Sequence, residues 1–157
     1  MKHLKISLRP ITEENKLECI NLKPRIDQMH FVALNINSLK KAELEPSTKA
    51  FGIYFDDIMV GFTLFDISPF EEDGCFWIVR FMIDERYQGR GFGKAALKEI
   101  ISIMKNIEGC NRIRTSHVPG NNVVNKLYKE FGFQETGEKL DGETILDLIV
   151  TVPEATQ

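Results

Sequence analysis

The chain has 157 residues, 43% of them hydrophobic and 27% charged, and a net charge of −3 with histidine neutral. This length suits one domain, residues 1–157, with its own core, and the composition excludes disordered, collagen-like and repeat-array classes. The slightly acidic balance argues against a nucleic-acid partner, which favours a basic face, and is compatible with a cationic substrate.

The three cysteines are Cys19, Cys75 and Cys110. Their odd count and the lack of CxxC spacing predict neither a metal site nor a disulfide scaffold. Each reads as a small buried hydrophobe in a reducing cytoplasm. The basic start, Met1-Lys2-His3-Leu4-Lys5, soon reaches Arg9-Pro10 without the apolar segment of a signal peptide. No run approaches the ~20 apolar residues of a membrane helix.

In chain order, Leu4, Ile6 and Leu8 alternate with Lys5, Ser7 and Arg9, which predicts a first strand. A helix then starts at Thr12 as cap, with Asn15 in the reciprocal position, an apolar face of Leu17 and Ile20, and an end at Pro24. A second helical region runs from Phe31 to Leu44 and closes at Glu45-Pro46-Ser47. Ala50 to Phe55 and Ile58 to Phe65, separated by Asp56-Asp57, predict a hairpin. An acidic loop, Pro69 to Gly74, precedes the nearly continuous apolar run Cys75 to Ile83, which suits a central strand covered on both faces.

From Gly91 the pattern turns helical, with Ala95, Leu97, Ile100, Ile101 and Met104 recurring to about Ile107. A short strand, Asn111 to Ser116, follows. Pro119-Gly120-Asn121 opens a last helix with Val123, Val124, Leu127, Tyr128 and Phe131 on one face and Gly132 as its stop. Phe133 to Thr136 and Thr144 to Val150 finish as two strands joined through the Asp141-Gly142 turn.

The segment Arg86 to Lys94 lies between the buried strand and an amphipathic helix. Its glycines Gly89, Gly91 and Gly93 allow a sharp turn and close approach to a ligand. The free N–H groups of the following helix aim at that turn, which makes an anion site, and Arg90 and Lys94 add charge. A P-loop is excluded because Ala95 follows Gly93-Lys94 where a Ser or Thr is needed. A Rossmann fingerprint is excluded by the GxGxG spacing deep in the chain.

Gln88-Gly89-Arg90-Gly91-Phe92-Gly93 resembles the Q/R-x-x-G-x-G/A signature of the GNAT superfamily of N-acetyltransferases. Asn121 to Phe133 resembles its second signature, N-x-x-A-x-x-L-Y-x-x-x-G-F, with Val124 where Ala is frequent. The order of elements fits from Leu4 to Val150. The resemblance implies a mixed α/β (α+β) fold, with a mixed, mostly antiparallel sheet of about seven strands flanked by about four helices. It implies acetyl-CoA as co-substrate. Backbone groups of Met82 and Ile83 would pair with the pantetheine arm, and amides from Gln88 to Lys94, including Phe92, would hold the pyrophosphate. Asn121 would hydrogen-bond the pantetheine arm, and Tyr128 would protonate the leaving thiolate as general acid. Family members often form dimers, so the resemblance leaves a homodimer open.

The acceptor must be an amine made neutral before attack. Candidate bases and cation contacts are Glu71, Glu72 and Asp73 in the acidic loop, with Asp84 and His117 as others. Further patterns, among them Phe31 to Asn35, Trp77 to Gly89 and Phe133 to Glu138 with Asp141-Gly142-Glu143, resemble bacterial diamine and spermine/spermidine acetyltransferases. They imply a small-molecule polyamine acceptor, with Asn35 and Glu45 contributing to its wall. Another amine (an aminoglycoside, an amino acid or a protein N-terminus) and a non-catalytic acyl-CoA sensor remain the alternatives.

Overall fold

A computed structural model describes residues 5–25 and 35–150. Its seven strands are β1 (Ile6–Pro10), β2 (Thr48–Phe55), β3 (Ile58–Asp66), β4 (Phe76–Ile83), β5 (Arg112–His117), β6 (Gln134–Leu140) and β7 (Glu143–Ile149). Its four helices are α1 (Lys16–Asn21), α2 (Asn35–Leu44), α3 (Phe92–Lys105) and α4 (Asn122–Glu130). One sheet runs in the order β1-β2-β3-β4-β5-β7-β6. Every neighbouring pair is antiparallel except β4 and β5.

Two apolar layers cover the sheet. On one face Leu97, Ile100 and Met104 of α3 and Tyr128 of α4 pack with Phe65, Ile78, Ile113 and Leu146. On the other, Cys19 and Leu22 from the α1 region and Leu39 of α2 pack with Ala50, Phe62, Leu64 and Met82. Burying each large side chain contributes roughly 1.5–3 kcal/mol. The apolar run of β4 serves both layers, as a doubly covered strand requires. No helix among the described residues is long and apolar enough to cross a membrane.

Several boundaries differ from the sequence expectation. The Thr12 N–H donates to Asn15 Oδ1 at 2.7 Å, the reciprocal arm of a capping box, but the helix begins only at Lys16 and ends at Asn21. Its buried residue is Cys19, whereas Leu17 is 70% exposed, because so short a helix turns only one residue squarely onto the sheet. Val123, expected on the apolar face of α4, is 67% exposed, since α4 packs through the side bearing Tyr128. β6 runs on to Leu140, past the expected end at Thr136. The Asp141-Gly142 turn, with both φ values positive, pairs Leu140 directly with Glu143. Leu4 and Phe31 to Leu34 lie outside the described residues.

Two features of β4 position the site. Its parallel pairing with β5 ends at Ile78 and Thr115, yet β4 continues to Ile83. Against β3 the register slips at the same level: Leu64 faces Arg80 while Phe65 faces Ile78, leaving Val79 as a bulge. A bulge sharpens the local twist, and β4 and β5 part there.

Candidate active site

The parting strands leave a cleft of ≈ 490 Å³ on the α3/α4 side. Its walls are the outer half of β4, the glycine turn and the start of α4, with Gln88, Gly89, Gly93, Asn121 and Leu127 among the lining residues. The turn is built from local rules. Asp84 caps a short 3-10 turn, Glu85–Tyr87, accepting from the Arg86 backbone N–H at 3.0 Å. Gly89 and Gly91 follow at φ 77° and 85°, and Gly91 opens α3. A residue with a Cβ is strained there. Phe92 turns its ring inward against Phe55 and Tyr87, so only its backbone faces the turn. α3 is long enough to carry a full set of unsatisfied first-turn N–H groups.

Of the predicted cofactor residues, Met82, Ile83, Gln88, Gly89, Gly93 and Asn121 line this cleft, and Arg90, Gly91, Phe92 and Lys94 do not. Arg90 lies exposed over the Tyr87 ring, and Lys94 pairs loosely with Glu130 of α4 at 3.7 Å. Asn121 occupies the cap position of α4 without making a side-chain cap bond and lines the cleft. Along β4, the Asp84 N–H donates to Val60 O at 2.8 Å. By the alternation of an antiparallel pair, Met82 turns its backbone groups to β3, and Phe81 and Ile83 turn theirs to the cleft. Met82 borders the cleft while its side chain packs in the α1/α2 layer, and Phe81 joins Ile83 as the backbone edge facing the cleft, where Gln88 Nε2 donates to Ile83 O at 2.9 Å. Pro24 and Arg25 also reach this cleft, held there by a Glu85 N–H to Lys23 O bond of 2.7 Å. Nothing local in the sequence marks them, because they arrive from a distant segment.

Tyr128 is buried in the core beneath α4, 3% exposed, with its ring against Phe133, and is not among the residues lining the cleft. Its hydroxyl lies beside Thr115, where β4 and β5 part; the Thr115 hydroxyl itself donates to Ile78 O at 3.1 Å. Burial pushes the Tyr128 phenol up to about 12. It is protonated at neutral pH, the state a proton donor needs.

A second cavity, of ≈ 350 Å³, opens on the opposite side of the same split. Glu72 and Asp73 of the acidic loop line it, as do Glu45, Asp66, Arg80 and Glu143. Asp73 already accepts from the Cys75 N–H and from Trp77 Nε1, both at 2.8 Å. Glu71 stays exposed on the loop, outside the residues that line this cavity. Asn35 is buried and donates to Cys19 O at 2.8 Å, tying α2 to α1. Asp84 holds Lys23 N–H and Arg86, whose hydrogen bonds keep its carboxyl below the usual range against the opposing effect of burial. Both ring nitrogens of His117 are engaged, by Val118 O and Asn125 Oδ1 at 3.1 Å each.

Asp66, Arg80 and Glu143 were not singled out from the sequence. Asp66 is fully buried, accepting from Ser47 Oγ at 2.9 Å and the Trp77 N–H at 2.8 Å, and burial pushes its carboxyl up to about 6. Arg80, a lone charge inside the apolar run of β4, was the available signal; burial lowers its guanidinium, and Nε has no partner among the described residues.

The sheet thus splits at a bulge, with a glycine turn at a helix start and a buried phenol on one side and an acidic cavity on the other. The sequence pattern of the acetyltransferase (GNAT) family matches residues 12–133. The spermine/spermidine N(1)-acetyltransferase of Bacillus subtilis strain 168 is 32% identical over 148 residues, covering 91% of this chain and 97% of that protein. Among solved structures, an aminoglycoside acetyltransferase in complex with coenzyme A superposes with a TM-score of 0.72 at 17% identity, over 92% of this chain and 95% of its own. Spermidine N-acetyltransferase from Vibrio cholerae, in complex with CoA and spermine, superposes at 0.70 and 14% identity, over 92% and 95%. The chain belongs to the GNAT acetyltransferase family. It is an acetyl-CoA-dependent N-acetyltransferase with acetyl-CoA as co-substrate.

Proposed function

We propose that the enzyme acetylates a primary amine of a polyamine such as spermidine or spermine, by direct attack within a ternary complex. The observation that carries the reading is the second cavity, where six carboxylates, Glu45, Asp66, Glu72, Asp73, Asp141 and Glu143, face only three cationic side chains, Lys41, Arg80 and Arg114. Arg114 is moreover paired with Asp147 and Glu138. Such a lining attracts a chain of ammonium groups. The likeness to a spermine/spermidine acetyltransferase over nearly the whole chain supports the same reading.

The glycine turn suits the pyrophosphate of acetyl-CoA. The backbone edge of Phe81 and Ile83, with the Asn121 amide, suits its pantetheine arm. The acetyl carbonyl would then lie at the split near Val79, open to the second cavity. A neutral amine nitrogen attacks the carbonyl carbon, the C–N bond forms and the C–S bond breaks. Tyr128 gives its phenolic proton to the departing sulfur. Holding both partners at one split supplies the orientation that makes such attack efficient. The three cysteines are free thiols, which supports a reducing, cytoplasmic setting.

The test is thiol release from acetyl-CoA with spermine, spermidine, putrescine, an aminoglycoside and a lysine peptide as acceptors. Selective turnover with the polyamines is expected. Selective turnover with another acceptor would keep the chemistry and overturn the polyamine assignment.

A further inference from the structure

The geometry points to Glu143, the first residue of β7, as the carboxylate that receives the reacting ammonium of the acceptor and takes its proton before attack. This rests on the acetyl-transfer reading above, but not on the acceptor being a polyamine.

β4 carries no acid between Phe76 and Ile83, so the base must come from a neighbouring element. Several acids of the second cavity are already engaged. Asp66 holds Ser47 and the Trp77 N–H, and Asp73 holds its own loop and the Trp77 indole. Glu72 and Asp141 lie exposed at the rim. Glu143 is half-buried and lines the cavity. Ser116 Oγ donates to its Oε1 at 3.2 Å, which fixes one oxygen and leaves the other for a ligand.

Ser116 directly follows Thr115, the last β5 residue paired with β4 and the neighbour of the Tyr128 hydroxyl. Successive strand residues face opposite sides of a sheet. Thr115 therefore presents Tyr128 on the cleft side while Ser116 presents Glu143 on the acceptor side, at the level where the strands part. Glu143 shares the lining of this cavity with Val79 at the bulge and with Arg80 beside it. The other charged groups facing this cavity are Lys41 of α2 and Glu45 just after it, Asp66 of β3, Arg80 of β4, Arg114 of β5, and Glu72 with Asp73 and Asp141 in the loops.

The proton balance then closes. The ammonium gives one proton to Glu143, which returns it to solvent. The neutral nitrogen forms the C–N bond as the C–S bond breaks. The nitrogen's second proton leaves to solvent, the sulfur takes its proton from Tyr128, and the Tyr128 phenolate regains a proton from solvent.

The test compares wild type with Glu143→Gln and Glu143→Asp, using whichever amine of the panel wild type acetylates best. Gln keeps an oxygen for Ser116, so folding and coenzyme A affinity, checked by thermal melt and calorimetry, are expected within twofold of wild type. kcat/KM for the amine at pH 7 is expected to fall on the order of 10²-fold, with Glu143→Asp recovering part of it. The deficit of Glu143→Gln should shrink as pH rises from about 7 to 9, because more amine arrives already neutral. A purely structural role would leave the deficit independent of pH. Wild-type kcat/KM in Glu143→Gln, or a pH-independent deficit, overturns the assignment. An active wild type that ignores polyamines overturns only the acceptor class. A wild type that acetylates no amine overturns this inference and the reading beneath it together.

Discussion

The two cavities that meet at the split in the sheet are built in opposite ways. The cleft on the α3/α4 side takes most of its lining from two continuous stretches, Phe81 to Gly93 and Asn121 to Leu127. The cavity on the other side draws on α2, β2, β3, the acidic loop, β4, β5 and the β6–β7 hairpin, from Lys41 to Ile145. A site made by a turn and the helix it starts is a local object, with backbone groups as its ligands. A site made by side chains from seven elements exists only once the sheet has paired. The first should respond sharply to backbone changes and little to charge, and the second the reverse.

The largest effect is expected at the wall between the two. Tyr128→Phe should lower kcat roughly 10²–10³-fold with coenzyme A affinity unchanged, read by steady-state kinetics and calorimetry; undiminished kcat would remove the phenol from the chemistry. On the acceptor side, Asp66 carries a raised pKa of about 6. The sign follows: its protonated form contributes stability that is fully present below pH 4 and lost as pH rises through 6. Stability should therefore fall by about 2–3 kcal/mol across that window from this group. Asp66→Asn should flatten that slope, measured by urea midpoints at pH 4.5 and 7. An unchanged slope would mean that Asp66 ionises freely.

On the cleft side, Gly91→Ala places a Cβ at φ 85°. Strain of about 1–2 kcal/mol should appear as lost stability in a thermal melt and, where the turn shifts to relieve it, as weaker coenzyme A affinity, while KM for the amine changes little. An equal loss for both ligands would mean that the two cavities do not respond separately. The smallest effect is expected at the exposed rim: Glu72→Gln should raise KM for a polyamine about twofold at low salt and not at all at high salt, as screening predicts.

The glycine turn could be read in the sequence because each of its requirements is local. Positive φ needs glycine, a preceding acid caps the approach, and the helix that follows supplies its own N–H groups. Asn121 could be read for the same reason, as the start of a helix. Met82 and Ile83 illustrate the limit. That this strand runs up to the glycine turn was legible, but which residues turn their backbone to the cleft depends on the register with β3, and there Phe81 shares the edge with Ile83. The acidic loop drew attention because its charges are consecutive, yet Asp73 braces the loop and Glu71 stays outside the cavity. Glu143 was legible only as the residue after a hairpin turn.

The sequence by itself determined the element order, the doubly covered β4, the glycine turn that opens α3 and the hairpin at Asp141-Gly142, since these rest on periodicity, φ preferences and capping within a few residues. The tertiary structure alone decided that β4 leaves β5 at Ile78, that Val79 bulges there, that Tyr128 stands on one side of the opening and Glu143 on the other, and that Asn35 and Asp84 are engaged in holding segments together. Those outcomes depend on pairing between strands far apart in the chain, and one residue of register reverses which face a side chain meets.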